Sequence, residues 1–139
     1  MKNIAIIGAG AWGTALAMVA RRAGRNVFLQ AHEPEVADAI NGSHENSLFL
    51  PGVALDPEIR ATNDPAEAAV DTDVVLLVVP TQFLRAVLTR LSGNLPSGVP
   101  VVICTKGIEH ETLALMSEIC EEVVPQAPVA VLSGPTFAA

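Results

Sequence analysis

Short apolar runs recur along the chain and are separated by segments with helical periodicity. The runs are continuously apolar, or nearly so, and do not alternate with polar residues, which is typical of strands buried on both faces. Such strands belong to parallel sheets covered by helices on both sides, so the pattern predicts an α/β fold with a doubly wound, mainly parallel sheet. The predicted strands are residues 2–7, 26–31, 74–79, 101–104 and 129–132, with a brief strand at 61–62.

Helices are predicted between these strands, and turn residues mark most of their ends. Asp64-Pro65 begins one of them, because Asp caps helix N-termini and Pro suits the first turn. Residues 42–57 are rich in turn formers and predict irregular structure. The other helices are expected at residues 14–23, 35–41, 81–91 and 113–124.

Composition narrows the class of protein. The chain has 139 residues, half of them apolar, which is enough for one domain with its own core. Eight basic against 15 acidic residues give a net charge of −7, so we expect no binding to nucleic acid or to anionic membranes. One Trp, four Phe and no Tyr argue against a surface that stacks bases. Any anionic ligand must therefore be held by a local site.

The two cysteines and three histidines show no metal-binding spacing. Cys104 and Cys120 form neither a C-x-x-C pair nor a Cys/His cluster, so we predict reduced thiols, a cytoplasmic location and no metal site. His44 and His110 lie in polar stretches and are read as surface residues.

The uncharged stretch from Ile4 to Ala20 has two interpretations. An uncharged run after Lys2 resembles a targeting segment. The same residues, however, supply the first strand and helix of the alternating pattern, and the run is short and interrupted by glycines. We therefore interpret it as part of the domain.

A glycine motif follows the first predicted strand. Gly8, Gly10 and Gly13 fit G-x-G-x-x-G between a strand and a helix. In dinucleotide-binding folds the first glycine makes the tight turn, the second lets the backbone approach the pyrophosphate, and the third lets the helix pack close to the strand. Free N–H groups at the helix start then face the anion. This context predicts a dinucleotide site.

The residues after the second predicted strand are relevant to the choice between NAD and NADP. Glu33 lies 20 residues after Gly13, where an acid holds the ribose 2′-hydroxyl of NAD. His32 could instead meet the adenosine end or a 2′-phosphate. The choice between NAD and NADP stays open, and the predicted cofactor is NAD(P).

Polar residues also follow the later strands, and ligands of open parallel sheets bind beyond the carboxyl ends of the strands. Lys106 comes after the strand at 101–104, next to Gly107, which would let a ligand approach the backbone. Its ammonium group could neutralise a phosphate or polarise a carbonyl. Gly134 and Thr136 follow the last strand and could offer N–H groups and a hydroxyl to an anion.

Five ordered motifs resemble one family, the bacterial-type NAD(P)-dependent glycerol-3-phosphate dehydrogenases. They are GAGAWGTALA (8–17), NSLFLP (46–51), VPTQ (79–82), TKGIE (105–109) and LSGPTFA (132–138). The resemblance implies reversible hydride transfer between NAD(P)H and dihydroxyacetone phosphate, giving sn-glycerol 3-phosphate for phospholipid synthesis. By motif position it implies cofactor contacts from Ala11, Trp12, His32, Lys106 and Ala138. It implies substrate contacts from Lys106, Gly134 and Thr136.

The resemblance also implies that more than this chain is needed for turnover. Members of that family are more than twice as long, and a helical second domain carries the lysine taken as proton acceptor. Residues 1–139 therefore resemble the cofactor domain, and the resemblance implies no catalytic residue among them. For the full-length protein it is compatible with a homodimer. Two alternatives remain: another two-domain dehydrogenase of the 6-phosphogluconate or hydroxyacid type, and a nucleotide-binding sensor without chemistry.

Overall fold

The six strands found among the described residues lie in one parallel sheet. The computed structural model describes residues 1–133, and its strands are β1 (Asn3–Ile7), β2 (Asn26–Gln30), β3 (Arg60–Thr62), β4 (Val74–Leu77), β5 (Val101–Ile103) and β6 (Val129–Val131). The strands pair in the order β3-β2-β1-β4-β5-β6, and each pair is parallel. This order is that of Rossmann-type dinucleotide-binding folds. The predicted doubly wound α/β fold is confirmed.

Helices connect successive strands and cover both faces of the sheet. They are α1 (Ala11–Arg22), α2 (Pro34–Ser43), α3 (Pro65–Ala69), α4 (Leu84–Ser92) and α5 (Met116–Val123), with a 3₁₀ turn (Thr81–Phe83) ahead of α4. Asp64 caps α3 as predicted, because its side chain accepts a hydrogen bond from the Ala66 N–H. No helix within residues 1–133 is both long and apolar enough to cross a membrane.

Two separate apolar cores explain why the strand residues are continuously apolar. Successive strand residues point to opposite faces of a sheet. Ile6 therefore packs into the core beneath α1 and α2, whereas Ile7 packs into the core beneath α3, α4 and α5. Both side chains are completely buried. Most apolar residues of the central strands thus contribute to stability on one side or the other.

Helix α1 begins three residues earlier than predicted. Gly10 is its N-cap in an extended conformation, and the Thr14 N–H donates to the Gly10 carbonyl at 3.0 Å. Ala11, Trp12 and Gly13 are therefore helical. The difference matters for function, because it brings the glycine motif into the first turn of the helix, where N–H groups lack intrahelical partners.

Helix α5 begins three residues later than predicted. Leu113 has a φ of 60°, in the left-handed region that a bulky side chain rarely adopts. It closes a turn in which the Leu113 N–H donates to Glu109 O, and the Glu109 N–H donates to Ala114 O, both at 2.9 Å. The side chain of Glu118 then accepts from the Leu115 N–H at 2.7 Å, which fixes the actual helix start.

His44 also differs from its interpretation as a plain surface residue. It ends α2 in the left-handed conformation, with a φ of 55°. It is half-buried, and its Nδ1 lies 3.2 Å from the Ile40 carbonyl, to which the ring donates as the Nδ1–H tautomer. His110 is exposed, as predicted.

Both cysteines are free thiols, as the sequence predicts, and both are buried. Burial raises the pKa of Cys104 and of Cys120 to about 11. Their thiols are therefore protonated at neutral pH and contribute as small apolar side chains.

Candidate functional site

The sheet has one point at which its strand order reverses, between β1 and β4. Segments leaving the carboxyl ends of such strands diverge and leave a crevice, which is where open parallel sheets bind ligands. Backbone hydrogen bonds hold the edge of the crevice together: Gly8 N–H donates to Gln30 O at 3.0 Å, and Val78 N–H donates to Ile7 O at 2.8 Å. The segments after β1 and β4 therefore start from neighbouring positions at the crevice.

The three motif glycines have different surroundings. Gly8 has a φ of +112°, and a Cβ there would lie 2.8 Å from the backbone carbon of Val78. A Cβ on Gly13 would lie 1.8 Å from the Gly8 carbonyl oxygen. The fold itself thus requires glycine at both positions, since either methyl group would collide with backbone.

Gly10 is not required by the fold. Its φ of −68° is ordinary for any residue, and a Cβ there would find no atom within 4 Å. The missing side chain leaves open space beside the backbone at the start of α1. Such a space fits the close approach of a pyrophosphate to backbone N–H groups.

The first turn of α1 adds the positive end of a helix dipole to this space. The turn contains no acidic residue that would offset the dipole. Ala11 and Trp12 are both exposed there, with 43% of Trp12 accessible. Both predicted contact residues therefore lie in the first turn of the helix and are accessible to a ligand.

His32 and Glu33 follow β2, at the same edge of the sheet. His32 is exposed, and Glu33 is the N-cap residue of α2. The Glu33 side chain makes no capping hydrogen bond, although its carbonyl accepts from the Val36 N–H at 3.1 Å. Its carboxylate is therefore not used as a helix cap.

Lys106 lies on a loop that the segment after β4 holds firmly. Thr81 Oγ1 donates to the Lys106 carbonyl at 2.8 Å, and Thr105 Oγ1 donates to the Val79 carbonyl at 2.6 Å. Lys106 itself is exposed. Strand β4 lies between β1 and β5, and all three are parallel. The loop after β5 therefore lies at the same edge of the sheet as the glycine motif after β1.

Gly107 has a different task from the one predicted. Its φ is +122°, and a Cβ would lie 3.0 Å from Thr81 Oγ1. The space beside this glycine is thus filled by a side chain of the protein. Gly107 allows the loop to turn and to pack on Thr81, and it does not open the backbone to a ligand.

An ion-pair network holds the rest of this loop. Arg85 on α4 donates from Nε to Glu109 at 2.9 Å and from Nη1 to Glu122 at 2.7 Å. The hydrogen bonds from Arg85, and then the one from Thr112, lower the pKa of the Glu109 carboxyl. Gln82 adds two hydrogen bonds to the backbone of residues 108 and 110. The loop that carries Lys106 is therefore fixed through α4.

Asn46 is a residue of the site whose task the sequence did not reveal. Its side chain is completely buried and donates to the Ala9 carbonyl at 2.8 Å and to Thr14 Oγ1 at 2.9 Å. It belongs to the NSLFLP motif, but it lies in a turn-rich stretch where polar residues are usually exposed. The motif match was the only signal for it, and that signal does not indicate contact with the glycine turn.

Three predicted contact residues lie outside the described residues, namely Gly134, Thr136 and Ala138. Within residues 1–133 no group of three or more His, Cys, Asp and Glu side chains could hold a metal ion.

A separate open groove of about 530 Å³ lies where β1 and β2 begin, at the opposite edge of the sheet. Its Arg21 pairs with Asp56 at 3.2 Å and with Glu58, and its Arg60 lies over the Phe28 ring at 4.8 Å. The groove contains charges of both signs and no glycine motif. The crevice at the carboxyl ends of the strands is therefore the candidate dinucleotide site.

A parallel sheet with this strand order, and a glycine turn opening onto its crevice at the start of α1, defines a Rossmann-type dinucleotide-binding domain. Residues 3–139 match the family model described as the NAD-dependent glycerol-3-phosphate dehydrogenase N-terminus. The chain therefore belongs to this NAD-dependent glycerol-3-phosphate dehydrogenase family, as the five motifs indicate.

Relatives support this membership along the whole chain. A glycerol-3-phosphate dehydrogenase of Paramagnetospirillum magneticum, named for NAD(P)+, is 60% identical over 138 residues, which are 99% of this chain and 50% of the relative. The corresponding protein of Caulobacter vibrioides is 55% identical over 99% of this chain and 41% of its own length. The chain thus spans about half or less of the length of these curated relatives.

A solved structure agrees with both the fold and the family. The crystal structure of glycerol-3-phosphate dehydrogenase from Coxiella burnetii superimposes with a TM-score of 0.89 at 32% identity. The match covers 98% of this chain and 42% of that one.

Proposed function

We propose that this chain is the cofactor-binding part of an NAD(P)-dependent glycerol-3-phosphate dehydrogenase of the cytoplasm. The reaction is reversible hydride transfer between NAD(P)H and dihydroxyacetone phosphate, giving sn-glycerol 3-phosphate for phospholipid synthesis. The observation that carries the proposal is the open space at Gly10, where neither steric contact nor backbone conformation requires glycine. A ligand that must reach the backbone explains why a side chain is absent there.

In this proposal the N–H groups at the start of α1 bind the pyrophosphate. Gly8 and Gly13 shape the turn, and Ala11 and Trp12 contact the dinucleotide beside it. His32 lies at the adenosine end, and Glu33 accepts from the ribose 2′-hydroxyl when the cofactor is NAD. Each of these residues follows β1 or β2 at the carboxyl edge of the sheet.

Lys106 serves the nicotinamide end of the site. The bound cofactor supplies the hydride, so the task of the protein is to orient the reactants and stabilise charge. The Lys106 ammonium neutralises the substrate phosphate or polarises its carbonyl. Gly134 and Thr136 contact the substrate, and Ala138 contacts the cofactor.

Turnover requires groups beyond these. Reduction of a ketone needs a proton donor beside the path of the hydride. We propose that a second, helical domain supplies this donor and further cations, as the greater length of the relatives suggests. The 139-residue chain should therefore bind NAD(P)H and show little or no turnover.

Titration of the chain with NADH and with NADPH tests the proposal. Trp12 is the only tryptophan and stands beside the proposed site, so its fluorescence should change saturably and transfer energy to the bound nicotinamide. The absence of binding by either nucleotide at millimolar concentration would contradict the proposal. Turnover of dihydroxyacetone phosphate at a rate typical of enzymes would contradict the need for a second domain.

The same titration tests the role of Glu33 in ribose recognition. We expect the Glu33→Gln variant to bind NADH more weakly, since a carboxylate accepts hydrogen bonds more strongly than an amide. Glu35→Gln, in the first turn of the same helix, is the matched control and should bind normally. A large preference of the unsubstituted chain for NADPH would refute this role.

A further inference from the structure

Asn46 and Thr14 are the two completely buried polar side chains among the described residues, and they contact each other. Asn46 comes from the loop between α2 and β3, whereas Thr14 lies in the second turn of α1. A buried amide is costly unless its hydrogen bonds are made. The hydrogen-bond partners of Asn46 therefore indicate which part of the structure its side chain stabilises.

Both the NH₂ group and the carbonyl oxygen of the Asn46 side chain form hydrogen bonds. Nδ2 donates to the Ala9 carbonyl at 2.8 Å and to Thr14 Oγ1 at 2.9 Å, and Oδ1 accepts from the Phe49 N–H at 3.2 Å. The opposite orientation of the amide would place an oxygen against the Ala9 carbonyl and an NH₂ group against the Phe49 N–H. Only one orientation satisfies all of these groups.

The bond to Ala9 acts on the middle of the glycine turn. Ala9 and Gly10 share one peptide group, and no peptide of the described chain is cis. In a trans peptide the carbonyl and the N–H point in opposite directions. Holding the Ala9 carbonyl towards the buried Asn46 therefore turns the Gly10 N–H away from the interior, towards the side on which the missing Gly10 side chain leaves open space.

We propose that Asn46 is a positioning residue for the cofactor: it fixes the Ala9–Gly10 peptide so that the Gly10 N–H is presented to the pyrophosphate. The inference rests on the proposed function and adds to it a residue 37 positions away in the sequence. Without this bond the Ala9 carbonyl would keep only the long hydrogen bond from Thr14 Oγ1 at 3.5 Å. The peptide could then rotate, and part of the binding energy would have to be spent on restoring its orientation.

Asn41 provides a matched control from the same region. It also makes two hydrogen bonds from its side chain to backbone: Nδ2 donates to Ala61 O, and Oδ1 accepts from Ala61 N–H, both at 2.8 Å. Those bonds hold β3, not the glycine turn. Asn41→Ala therefore removes a comparable set of bonds without disturbing the peptide at Gly10.

The experiment measures the NADH dissociation constant and the urea stability of the 139-residue chain and its variants. We expect Asn46→Ala and Asn46→Asp to raise the dissociation constant about tenfold or more, since each removes the donors that hold the Ala9 carbonyl. Asn41→Ala should lower stability and leave the constant within about twofold. The urea unfolding curve of each variant is recorded first, and dissociation constants are measured only under conditions in which that curve shows the variant to be fully folded.

An NMR titration separates positioning from general loosening. In Asn46→Ala the Gly10 amide resonance should be displaced before NADH is added and should respond less to it, whereas in Asn41→Ala it should match the unsubstituted chain. If Asn46→Ala does not fold, Thr14→Val takes its place. It removes the hydroxyl next to Asn46 while keeping the shape of the side chain, and we expect about a threefold weaker affinity.

The outcomes separate the two proposals. If the unsubstituted chain does not bind NADH, the proposed function fails and this inference fails with it. If the chain binds and the Asn46 variants, or Thr14→Val in their place, keep its affinity, only the inference is overturned. Equal weakening by the Asn41 and Asn46 variants also overturns it, because the effect would then be a general loss of structure.

Discussion

Replacing Gly10 with alanine separates what the fold needs from what a dinucleotide needs. The added methyl group would meet no atom within 4 Å, and the backbone already has an ordinary φ of −68°. Alanine is a poorer N-cap than glycine, but it restricts the unfolded chain more. These opposed effects leave the free energy of unfolding within about 1 kcal/mol of the original.

The Gly10→Ala substitution should weaken NADH binding far more than it changes stability. A phosphate oxygen bound to a backbone N–H lies at about 2.9 Å from the nitrogen, whereas a methyl carbon keeps its neighbours about 3.5 Å away. The methyl group of Gly10→Ala would therefore hold the pyrophosphate off the backbone. Loss of one charge-assisted hydrogen bond, about 1.5–3 kcal/mol, predicts a dissociation constant for NADH about 10- to 150-fold higher.

The assay combines NADH titration with urea unfolding and uses two further glycines as controls. Gly93, at the end of α4, also has open space around it, so Gly93→Ala should change neither affinity nor stability greatly. Gly13→Ala, with its 1.8 Å backbone collision, should lower the free energy of unfolding by about 3 kcal/mol or more. Unchanged affinity of a folded Gly10→Ala variant would refute the reasoning.

Two further predictions concern titration and reactivity. Glu109 has its pKa lowered by Arg85, so its contribution to stability is present above its ordinary value of 4.5 and is lost as the pH falls through the lowered folded value. The melting temperature of Glu109→Gln should therefore fall less steeply in acid than that of the unsubstituted chain. The control Glu111→Gln, which changes an exposed neighbour, should follow the unsubstituted chain. If the curves of Glu109→Gln and the unsubstituted chain ran parallel, the prediction would be wrong. Cys104 and Cys120, with pKa values of about 11, should react slowly with a thiol reagent at pH 8 and rapidly in urea; fast reaction of the folded chain would show that they are accessible.

The sheet and the glycine turn could be predicted because their causes are local. Apolar runs such as 74–79 are recognisable without knowing their neighbours, since both faces of a central strand are buried. The glycines between β1 and α1 likewise act on adjacent segments. Lys106 was indicated by its position after the predicted strand at 101–104, and in the structure it does follow β5 (Val101–Ile103).

What the sequence could not show depends on contacts between distant segments. Asn46 is read as a loop residue until its bond to Ala9, 37 positions away, is seen. Gly107 was misread because Thr81, which fills the space beside it, comes from another strand end. Helical periodicity at Leu113 could not reveal that a turn closed by Glu109 holds this residue in the left-handed conformation.

The central claim is that the glycine turn binds the dinucleotide. Its most direct test is an NMR titration of the ¹⁵N-labelled chain with NADH, which follows each backbone amide. The account predicts saturable changes at the amides of residues 8–13, with little change at Gly93. Saturable changes confined to the groove where β1 and β2 begin, or no saturable change at all, would contradict it.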